Sequence, residues 1–182
     1  MSQASSATRP LIIRPSTDAD LPAIQAIYAH AVQQGTGTFE TEVPAVEEMA
    51  RRRQEVLGRQ LPWLVAERNG EILGYAYANY FRPRLAYRFC VEDSIYLAPA
   101  AQGQGVGRLL LAELIARCEA AGARQMLAVI GDAANVGSVG VHTALGFEHT
   151  GVLKSAGWKF GRWLDVVLMQ RTLGTGDSTA AE

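Results

Sequence analysis

Apolar residues recur along this chain with two different periods, and the changes of period predict the order of its elements. A short apolar run over 11–14 predicts a first strand. Over 21–31 the apolar residues return every three or four positions, behind a capping pair formed by Thr17 and Asp20. This pattern predicts a helix that begins just after Thr17 and ends at Gly35.

The rest of the chain continues to alternate between helical and strand-like segments. We expect a second helix over 45–57 and two strands, over 63–68 and 72–81, joined by a tight Asn69-Gly70 hairpin turn. The later segments are predicted as a strand over 88–97, a helix over 105–121, a strand over 126–130, a helix over 136–145, and strands over 147–153 and 164–172, with a connection over 156–161. This order predicts a single α/β domain in which a mixed, mostly antiparallel sheet of about seven strands carries about four helices.

A glycine-rich turn joins the fourth predicted strand to the helix that follows it. Such a turn brings backbone N–H groups up to an anion at the N-terminus of a helix. An ATP-type P-loop would end in Gly-Lys-Ser/Thr, whereas here Gly107 is followed by Arg108 and a leucine. The G-x-G-x-x-G spacing of a dinucleotide-binding turn is also missing. Both of these nucleotide-binding loops are therefore excluded.

Composition narrows the class of protein. The chain has 182 residues, of which 48% are hydrophobic, so we expect one domain over 11–173 between flexible segments at 1–10 and 174–182. Seventeen Lys and Arg against eighteen Asp and Glu give a net charge of -1, which argues against nucleic acid or an anionic membrane as a partner. The two cysteines lack metal spacing, and no window has the apolar length of a signal peptide or a membrane span. We therefore expect a cytoplasmic protein without a metal.

The glycine turn and a later segment carry a family resemblance. The pattern Gln102-x-x-Gly105-x-Gly107 resembles the acetyl-CoA pyrophosphate loop of the GNAT N-acetyltransferase superfamily. Asn135 and Ser138, ahead of an Ala-Leu-Gly-Phe ending, resemble the next motif of that superfamily. The resemblance implies a GNAT-like fold with acetyl-CoA as co-substrate. It implies that the following residues bind the donor: Ile95, Tyr96, Leu97, Gln102, Gly103, Gln104, Gly105, Val106, Gly107, Arg108, Asn135 and Ser138.

One departure from the superfamily pattern narrows the resemblance. His142 stands where most members have a tyrosine that is thought to protonate the leaving thiolate. Together with Val91-Glu92 and the Gly-Arg-Trp-Leu-Asp sequence at 161–165, this is similar to the phosphinothricin N-acetyltransferase subfamily. Its members include enzymes that acetylate phosphinothricin, methionine sulfoximine and methionine sulfone. The resemblance also implies a homodimer, with the last strands and residues 158–163 near the interface.

Two side chains are candidates for the acid–base chemistry. An amine must be neutral to attack a thioester, and Glu92, a carboxylate within an apolar strand, is the candidate base; a structural salt bridge is its alternative. Because side chains alternate along a strand, we expect Asp93 to point away, so that only one of the two acids reaches the site. His142 is the candidate that protonates the thiolate or positions it with a hydrogen bond.

The loop ahead of Glu92 is the candidate for substrate recognition. Arg82 and Arg84, with Pro83 between them, offer guanidinium groups to an α-carboxylate, although two exposed loop arginines would show the same pattern. The prediction is an acetyl-CoA-dependent N-acetyltransferase that acts on the α-amine of a small amino-acid-like substrate, by direct transfer in a ternary complex. Two alternatives stay open: a protein N-terminal or lysine acetyltransferase, and a non-catalytic acyl-CoA-binding module.

Overall fold

Within residues 10–181, seven strands and four helices follow one another in the order that the sequence pattern predicts. The computed structural model describes residues 10–181, so residues 1–9 of the predicted N-terminal segment lie outside the described residues. The elements are β1 (Ile12–Pro15), α1 (Leu21–Gln34), α2 (Val46–Gly58), β2 (Trp63–Arg68), β3 (Glu71–Tyr80), β4 (Cys90–Leu97), α3 (Val106–Ala120), β5 (Gln125–Gly131), α4 (Val136–Ala144), β6 (Glu148–Lys159) and β7 (Arg162–Thr172).

The strands form one sheet in the order β1-β2-β3-β4-β5-β7-β6. Every neighbouring pair is antiparallel except β4 and β5, which are parallel. The predicted fold class, a mixed and mostly antiparallel sheet with helices packed on it, is therefore confirmed.

The parallel pair at the centre of the sheet is short. β4 and β5 are in register only where Cys90 to Glu92 face Gln125 to Leu127. Beyond that point β4 remains paired with β3 as far as Leu97, and β5 remains paired with β7 as far as Gly131. The two strands therefore separate, and a V-shaped gap opens between them in the middle of the sheet.

Helices cover both faces of the sheet. Ile95 and Leu97 of β4 approach Gly107 of α3, whereas Tyr96, which lies between them, meets Tyr28 of α1 edge-on at 4.9 Å. Because neighbouring side chains of a strand point to opposite faces, α3 and α1 lie on opposite sides of β4. The first three helices contribute fully or almost fully buried residues to the core: Ile24 and Val32 of α1, Met49 and Val56 of α2, and Leu110, Leu111 and Leu114 of α3.

The capping pair predicted ahead of the first helix is present. The backbone N–H of Thr17 donates to Oδ2 of Asp20 at 2.7 Å, and one turn of 3-10 helix over Asp18–Asp20 precedes α1. Arg14 donates to both carboxylate oxygens of Asp20 at 2.8 Å. The hydrogen bonds from Arg14 and Thr17 outweigh burial and lower the pKa of Asp20 to about 2. The cap therefore also ties the start of α1 to β1.

The last two strands are longer than the sequence pattern predicts. The connection expected over 156–161 is wrong, since β6 continues to Lys159 and β7 starts at Arg162. Phe160 and Gly161, with φ of 52° and 71°, form a two-residue turn of the kind that matches the twist of a hairpin. The irregular stretch lies earlier, where the register of β6 shifts between Leu153 and Gly157. The glycines at 157 and 161 therefore mark a register shift and a tight hairpin turn, not a loop.

The segment after β7 makes contacts that the sequence did not predict. Arg124 donates to Oγ1 of Thr179 at 3.0 Å and to the carbonyl of Gly176 at 3.2 Å. The flexibility expected of residues 174–182 stays a prediction. Within residues 10–181, no helix combines the length and the apolar character needed to cross a membrane.

Candidate active site

The gap between β4 and β5 opens into a cleft of about 960 Å³. Most of its lining comes from the end of α1 with the loop that follows, β4, the glycine turn with the start of α3, the end of β5, and α4 with the loop before it. Tyr77 of β3 and Val166 of β7 also line it. Because the two strands separate, residues that point to opposite faces of the sheet line the same cavity.

The glycine turn lies at one end of this cleft. Gly103 and Gly105 have φ of 72° and 79°, a conformation that L side chains rarely adopt. The turn leads into α3 at Val106, and the first N–H groups of an α-helix have no partner within the helix. A Cβ atom on Gly107 would come within 3.2 Å of the Leu97 side chain, so this glycine permits close packing of α3 on β4. The turn has the geometry of a pyrophosphate-binding loop.

Eight of the twelve residues assigned to acetyl-CoA line the cleft: Ile95, Tyr96, Leu97, Gln102, Gly103, Gly107, Asn135 and Ser138. The other four are not part of its lining. Gln104 donates to the carbonyl of Ala100 at 2.6 Å, the side chain of Val106 is fully buried in the core, and Arg108 is exposed. Gly105 and Val106 can therefore serve a ligand only through their backbone.

Asn135 lines the cleft at the start of α4. Its Oδ1 accepts a hydrogen bond from the N–H of Ser138 at 3.2 Å and so caps this helix. Its Nδ2 atom faces Gly37, where a Cβ atom would come within 3.5 Å. Asn135 thus lies between the helix and the loop that follows α1.

Glu92 is the last residue of β4 that pairs with β5, and it lines the cleft. It is partly buried, and no side chain or backbone group of residues 10–181 donates a hydrogen bond to its carboxylate. Burial and the nearby charge of Asp93 raise its pKa, against the opposing charge of Arg82. A carboxylate in this state is a suitable proton acceptor at neutral pH.

The expectation that Asp93 lies away from the site is wrong. Its side chain does point to the other face from Glu92, but α4 crosses that face and both acids line the cleft. Oδ2 of Asp93 lies 3.0 Å from Nε2 of His142, and each side chain is 2% exposed. The second oxygen of Asp93 is buried and has no hydrogen-bond partner within the described structure. Alternation along the strand could not reveal a partner on a distant helix.

Both ring nitrogens of His142 face hydrogen-bond acceptors. Nδ1 lies 2.7 Å from the carbonyl of Ser138, and Nε2 faces the carboxylate of Asp93. Burial opposes a charged ring, but the hydrogen bond and charge of Asp93 together outweigh it and raise the pKa of His142. The arrangement therefore favours the doubly protonated imidazolium. The hydroxyl of Ser138, 3.5 Å from Nδ1, belongs to a residue that lines the cleft.

The arginine loop lies outside the lining of the cleft. Arg82, Pro83 and Arg84 are all exposed, and neither arginine forms an ion pair with a described carboxylate. The guanidinium of Arg82 lies over the ring of Phe81 at 4.3 Å. Of the two arginines, only Arg82 has a resolved electrostatic effect on Glu92, whose pKa it lowers.

The loop over 35–39 is a part of the site that the sequence indicates only at Phe39, an aromatic residue that could line a pocket or belong to the core. All five of its residues line the cleft, and so does His30 of α1, which has no motif around it. The loop is held from the other end of the chain by Lys159, which donates to the carbonyls of Gly35 and Thr38 at 2.8 Å each. A buried lysine at the end of an edge strand gives no local sign of such a contact.

The side chains of the described residues give no indication of a metal site. Across residues 10–181, no group of three or more His, Cys, Asp or Glu side chains is arranged to hold a metal ion. The chemistry available in the cleft is that of a carboxylate, a charged imidazole, backbone N–H groups at the start of a helix, and the open edge of a strand.

Known proteins of similar sequence and structure agree with this geometry. The profile described as acetyltransferase (GNAT) domain matches residues 13–168. The phosphinothricin N-acetyltransferase of Alcaligenes faecalis is 58% identical over 170 residues, which cover 93% of this chain and 86% of that protein. The L-methionine sulfoximine/L-methionine sulfone acetyltransferase of Pseudomonas paraeruginosa is 42% identical over 165 residues, which cover 88% of this chain and 94% of that protein.

A solved structure matches over almost the whole chain. It is the GNAT-superfamily phosphinothricin acetyltransferase of Sinorhizobium meliloti, crystallised in complex with acetyl-CoA. It superposes with a TM-score of 0.92 at 47% identity, over 96% of this chain and 94% of that one.

Proposed function

The chain belongs to the GNAT acetyltransferase family, and from this premise we propose that it acetylates the α-amine of a small amino acid that carries a tetrahedral phosphorus or sulfur group. Phosphinothricin, methionine sulfoximine and methionine sulfone are the candidate acceptors. The relatives at 58% and 42% identity, named for these compounds, support this choice of substrate class. Acetylation removes the charge of the α-ammonium group, so the proposed role is detoxification of amino-acid analogues.

One observation carries the proposal. A carboxylate without a hydrogen-bond donor, Glu92, stands where β4 leaves β5, in the same cleft as the glycine turn at the start of α3. A base and a donor-binding loop in one cavity permit direct attack of an amine on a bound thioester. The proposed reaction therefore needs no covalent intermediate on the enzyme.

Glu92 is the proposed base. An α-amine with a pKa of about 8 is mostly protonated at pH 7 and has no free lone pair until it loses a proton. The raised pKa of Glu92 brings the two groups closer in basicity, which favours transfer of a proton from the substrate ammonium to the carboxylate, directly or through water. The neutral amine then attacks the carbonyl carbon of the thioester.

The open edge of β4 is the proposed binding surface for the donor. Between Asp93 and Leu97, the backbone groups that face β5 have no strand partner, because the two strands have separated. They are free to bind the pantetheine arm and to stabilise the oxyanion that forms on the thioester carbonyl. The positive end of α3, with the amides of Gly103 to Gly107, is the proposed site of the pyrophosphate.

His142 is the proposed source of positive charge for the leaving thiolate. Its imidazolium is oriented by Asp93 and by the Ser138 carbonyl, and both His142 and Ser138 line the cleft. A thiol with a pKa of about 8.5 needs little help to leave, so a nearby charge that stabilises or protonates the thiolate is sufficient.

Arg82 is the proposed partner of the substrate's α-carboxylate, with Pro83 and Arg84 shaping the same loop. Its effect on the pKa of Glu92 supports a position from which its charge reaches the acceptor region. A guanidinium can hold a carboxylate with two parallel hydrogen bonds and so orient the amine next to it.

We also propose that the enzyme is a cytoplasmic homodimer. Trp158, Phe160 and Trp163, which surround the β6–β7 turn, are each more than half exposed, and β6 is the edge strand of the sheet. Exposed aromatic side chains grouped on a sheet edge are typical of an interface. Cys90 and Cys118 are free thiols, in keeping with a reducing compartment.

The test is release of free CoA thiol from acetyl-CoA in the presence of a panel of acceptors. We expect turnover with phosphinothricin, methionine sulfoximine or methionine sulfone, and none with peptides that carry a free N-terminus or a lysine. Turnover with peptides alone would favour a protein acetyltransferase. Binding of acetyl-CoA without turnover of any acceptor would favour the acyl-CoA-binding module.

A further inference from the structure

Lys159 is a buried cation that does not belong to the proposed chemistry. It is the last residue of β6, it is 4% exposed, and its Nζ donates to the carbonyls of Gly35 and Thr38 at 2.8 Å each. No described carboxylate lies within ion-pair distance of it. Burial lowers its pKa, against the opposing charge of Glu40. A buried ammonium group is tolerated when such acceptors replace its water.

The two carbonyls belong to the loop that lines the cleft on the side of α1. The loop contains two glycines, Gly35 and Gly37, and ordering such a sequence costs more conformational entropy than ordering most others. Both carbonyls belong to residues outside the regular elements, and both accept a hydrogen bond from one ammonium group. Lys159 therefore supplies the hydrogen bonds that a helix or strand would otherwise supply.

Two further contacts fix the same loop. The hydroxyl of Thr38 lies 2.9 Å from the hydroxyl of Tyr28 on α1. The ring of Phe39 lies in a slot between Gly131 and Gly157, where a Cβ atom on Gly131 would come within 2.9 Å of the ring and one on Gly157 would overlap it. β6 therefore contacts the loop twice, through the ammonium group of Lys159 and through the bare backbone of Gly157.

We propose that Lys159 is a positioning residue for the acceptor: it holds the loop over 35–39 in the free enzyme in the shape that receives the substrate. This proposal rests on the proposed function, in which Glu92 is the base. Glu92 and Tyr96 alternate onto the same face of β4, and Tyr96 contacts α1, so the loop that follows α1 lies on the face from which the base acts on the acceptor. A preformed wall lowers the entropy lost when a small, flexible amino acid binds. The effect of losing Lys159 should therefore fall on the KM of the acceptor.

The first test compares Lys159→Met with Lys154→Met. Lys154 is on the same strand, but its side chain is 77% exposed and its Nζ pairs with Asp165, outside the cleft. Hydrogen exchange followed by mass spectrometry reports the order of residues 35–40 without any need for turnover. In Lys159→Met we expect exchange there to be at least about tenfold faster and the acceptor KM to rise about tenfold, with the acetyl-CoA KM within about twofold of wild type. Lys154→Met should match wild type in all three.

A second pair of variants keeps the test decisive if Lys159→Met does not fold. Gly157→Ala disturbs the loop through Phe39 and leaves Lys159 in place, whereas a Cβ atom on Gly151 of the same strand meets nothing within 4 Å. We expect Gly157→Ala, but not Gly151→Ala, to show the same faster exchange over 35–40 and the same rise in acceptor KM.

Three results would overturn the proposal: unchanged exchange over 35–40 in Lys159→Met, faster exchange with an unchanged acceptor KM, or equal effects in the Lys154→Met control. Failure of the proposed function would look different. The wild-type enzyme would then acetylate no amino-acid acceptor, while the exchange experiment would still report whether Lys159 orders the loop.

Discussion

Nε2 of His142 lies 3.0 Å from Oδ2 of Asp93, in a pair whose side chains are each 2% exposed. The two residues come from α4 and β4, and Asp93 is the first residue of β4 beyond its pairing with β5. With Nδ1 at 2.7 Å from the Ser138 carbonyl, the ring has an acceptor at both nitrogens. A ring held in this way favours the positively charged form, because Asp93 raises the pKa of His142.

The Asp93–His142 pair predicts a pH-dependent contribution to stability. In Asp93→Asn the anion is lost, burial then dominates, and the pKa of His142 should fall below its wild-type value. In the wild type the folded pKa of His142 is raised, so its contribution to the free energy of unfolding is complete below the unfolded pKa of about 6.5 and is lost as the pH rises through the folded pKa. We therefore expect Asp93→Asn to cost roughly 2 to 4 kcal/mol at pH 5.5 and less at pH 9, as measured by urea unfolding.

The control for this experiment is Asp177→Asn, since Asp177 is exposed in the segment after β7. It should match wild type at both pH values. A loss of stability in Asp93→Asn that is the same at pH 5.5 and pH 9 would contradict the assignment of an imidazolium to His142. The variant should also lower kcat, because the charge offered to the thiolate is weakened.

The proposed role of Glu92 as base predicts that its substitution lowers the rate without lowering stability. Glu92→Gln should lower kcat/KM by roughly 10² to 10⁴, with acetyl-CoA bound as in wild type. Because burial raises the pKa of Glu92, the charged carboxylate is the less favoured form, and a neutral amide should leave Tm unchanged or raise it by a few degrees. Calorimetry and a thiol-release assay check both parts.

Glu71→Gln is the matched control, because Glu71 is an exposed glutamate at the start of β3. It should leave both kcat/KM and Tm as in wild type. Turnover of Glu92→Gln at the wild-type rate would mean that another group accepts the proton.

The opposing charge of Arg82 predicts a shift in the pH profile. Glu92 must be ionised to act as base, so kcat/KM falls as the pH drops through its pKa, which lies above the ordinary value of about 4.3. Arg82 lowers that pKa, and therefore Arg82→Met should move the acid limb of the profile to higher pH. Arg84→Met should leave the limb in place, since no effect of Arg84 on Glu92 is resolved. The substrate amine titrates equally in all three enzymes, so the comparison isolates Glu92.

The elements and the glycine turn could be predicted because their signals are local. Thr17 and Asp20 cap a helix three residues apart, Asn69-Gly70 marks a hairpin, and the spacing of Gly105 and Gly107 is contained in the turn itself. Each is a short-range pattern with its own physical cause, which periodicity and turn chemistry capture.

The parts of the site that could not be predicted depend on distant contacts. Asp93 and His142 are 49 residues apart, and Lys159 is 124 residues from Gly35. Strand alternation correctly gives the face of Asp93, but not that a helix carries its partner across that face. From the sequence alone, a lysine near the end of an amphipathic strand is interpreted as a solvated charge, because the loop that covers it cannot be identified.

The left-handed backbone of the glycine turn predicts a selective defect in acetyl-CoA binding. Gly105 has φ of 79°, so Gly105→Ala introduces a strain of about 1 to 2 kcal/mol at the start of α3, which the turn relieves by moving its amides. We expect the acetyl-CoA KM to rise about tenfold while the acceptor KM stays as in wild type. Gly58→Ala, at the end of α2 with nothing within 4 Å of its Cβ position, is the control and should change neither. Equal increases in both KM values would argue against a donor-specific turn.

The exposed aromatic residues at the β6–β7 turn predict the oligomeric state. Trp158 and Trp163 are 56% and 62% exposed and contact each other edge-on at 5.2 Å, so they form one rigid apolar surface next to an edge strand. If two chains meet at this apolar surface, a charge introduced at the centre of the surface is buried without a partner. We expect wild type to sediment as a dimer at concentrations of about 10 μM and Trp163→Glu as a monomer, because a stable interface of about 1,000 Å² or more does not tolerate such a charge. Leu109→Glu, an equally apolar and 54% exposed position on α3, should remain dimeric, and a wild-type monomer would remove the interface from this hairpin.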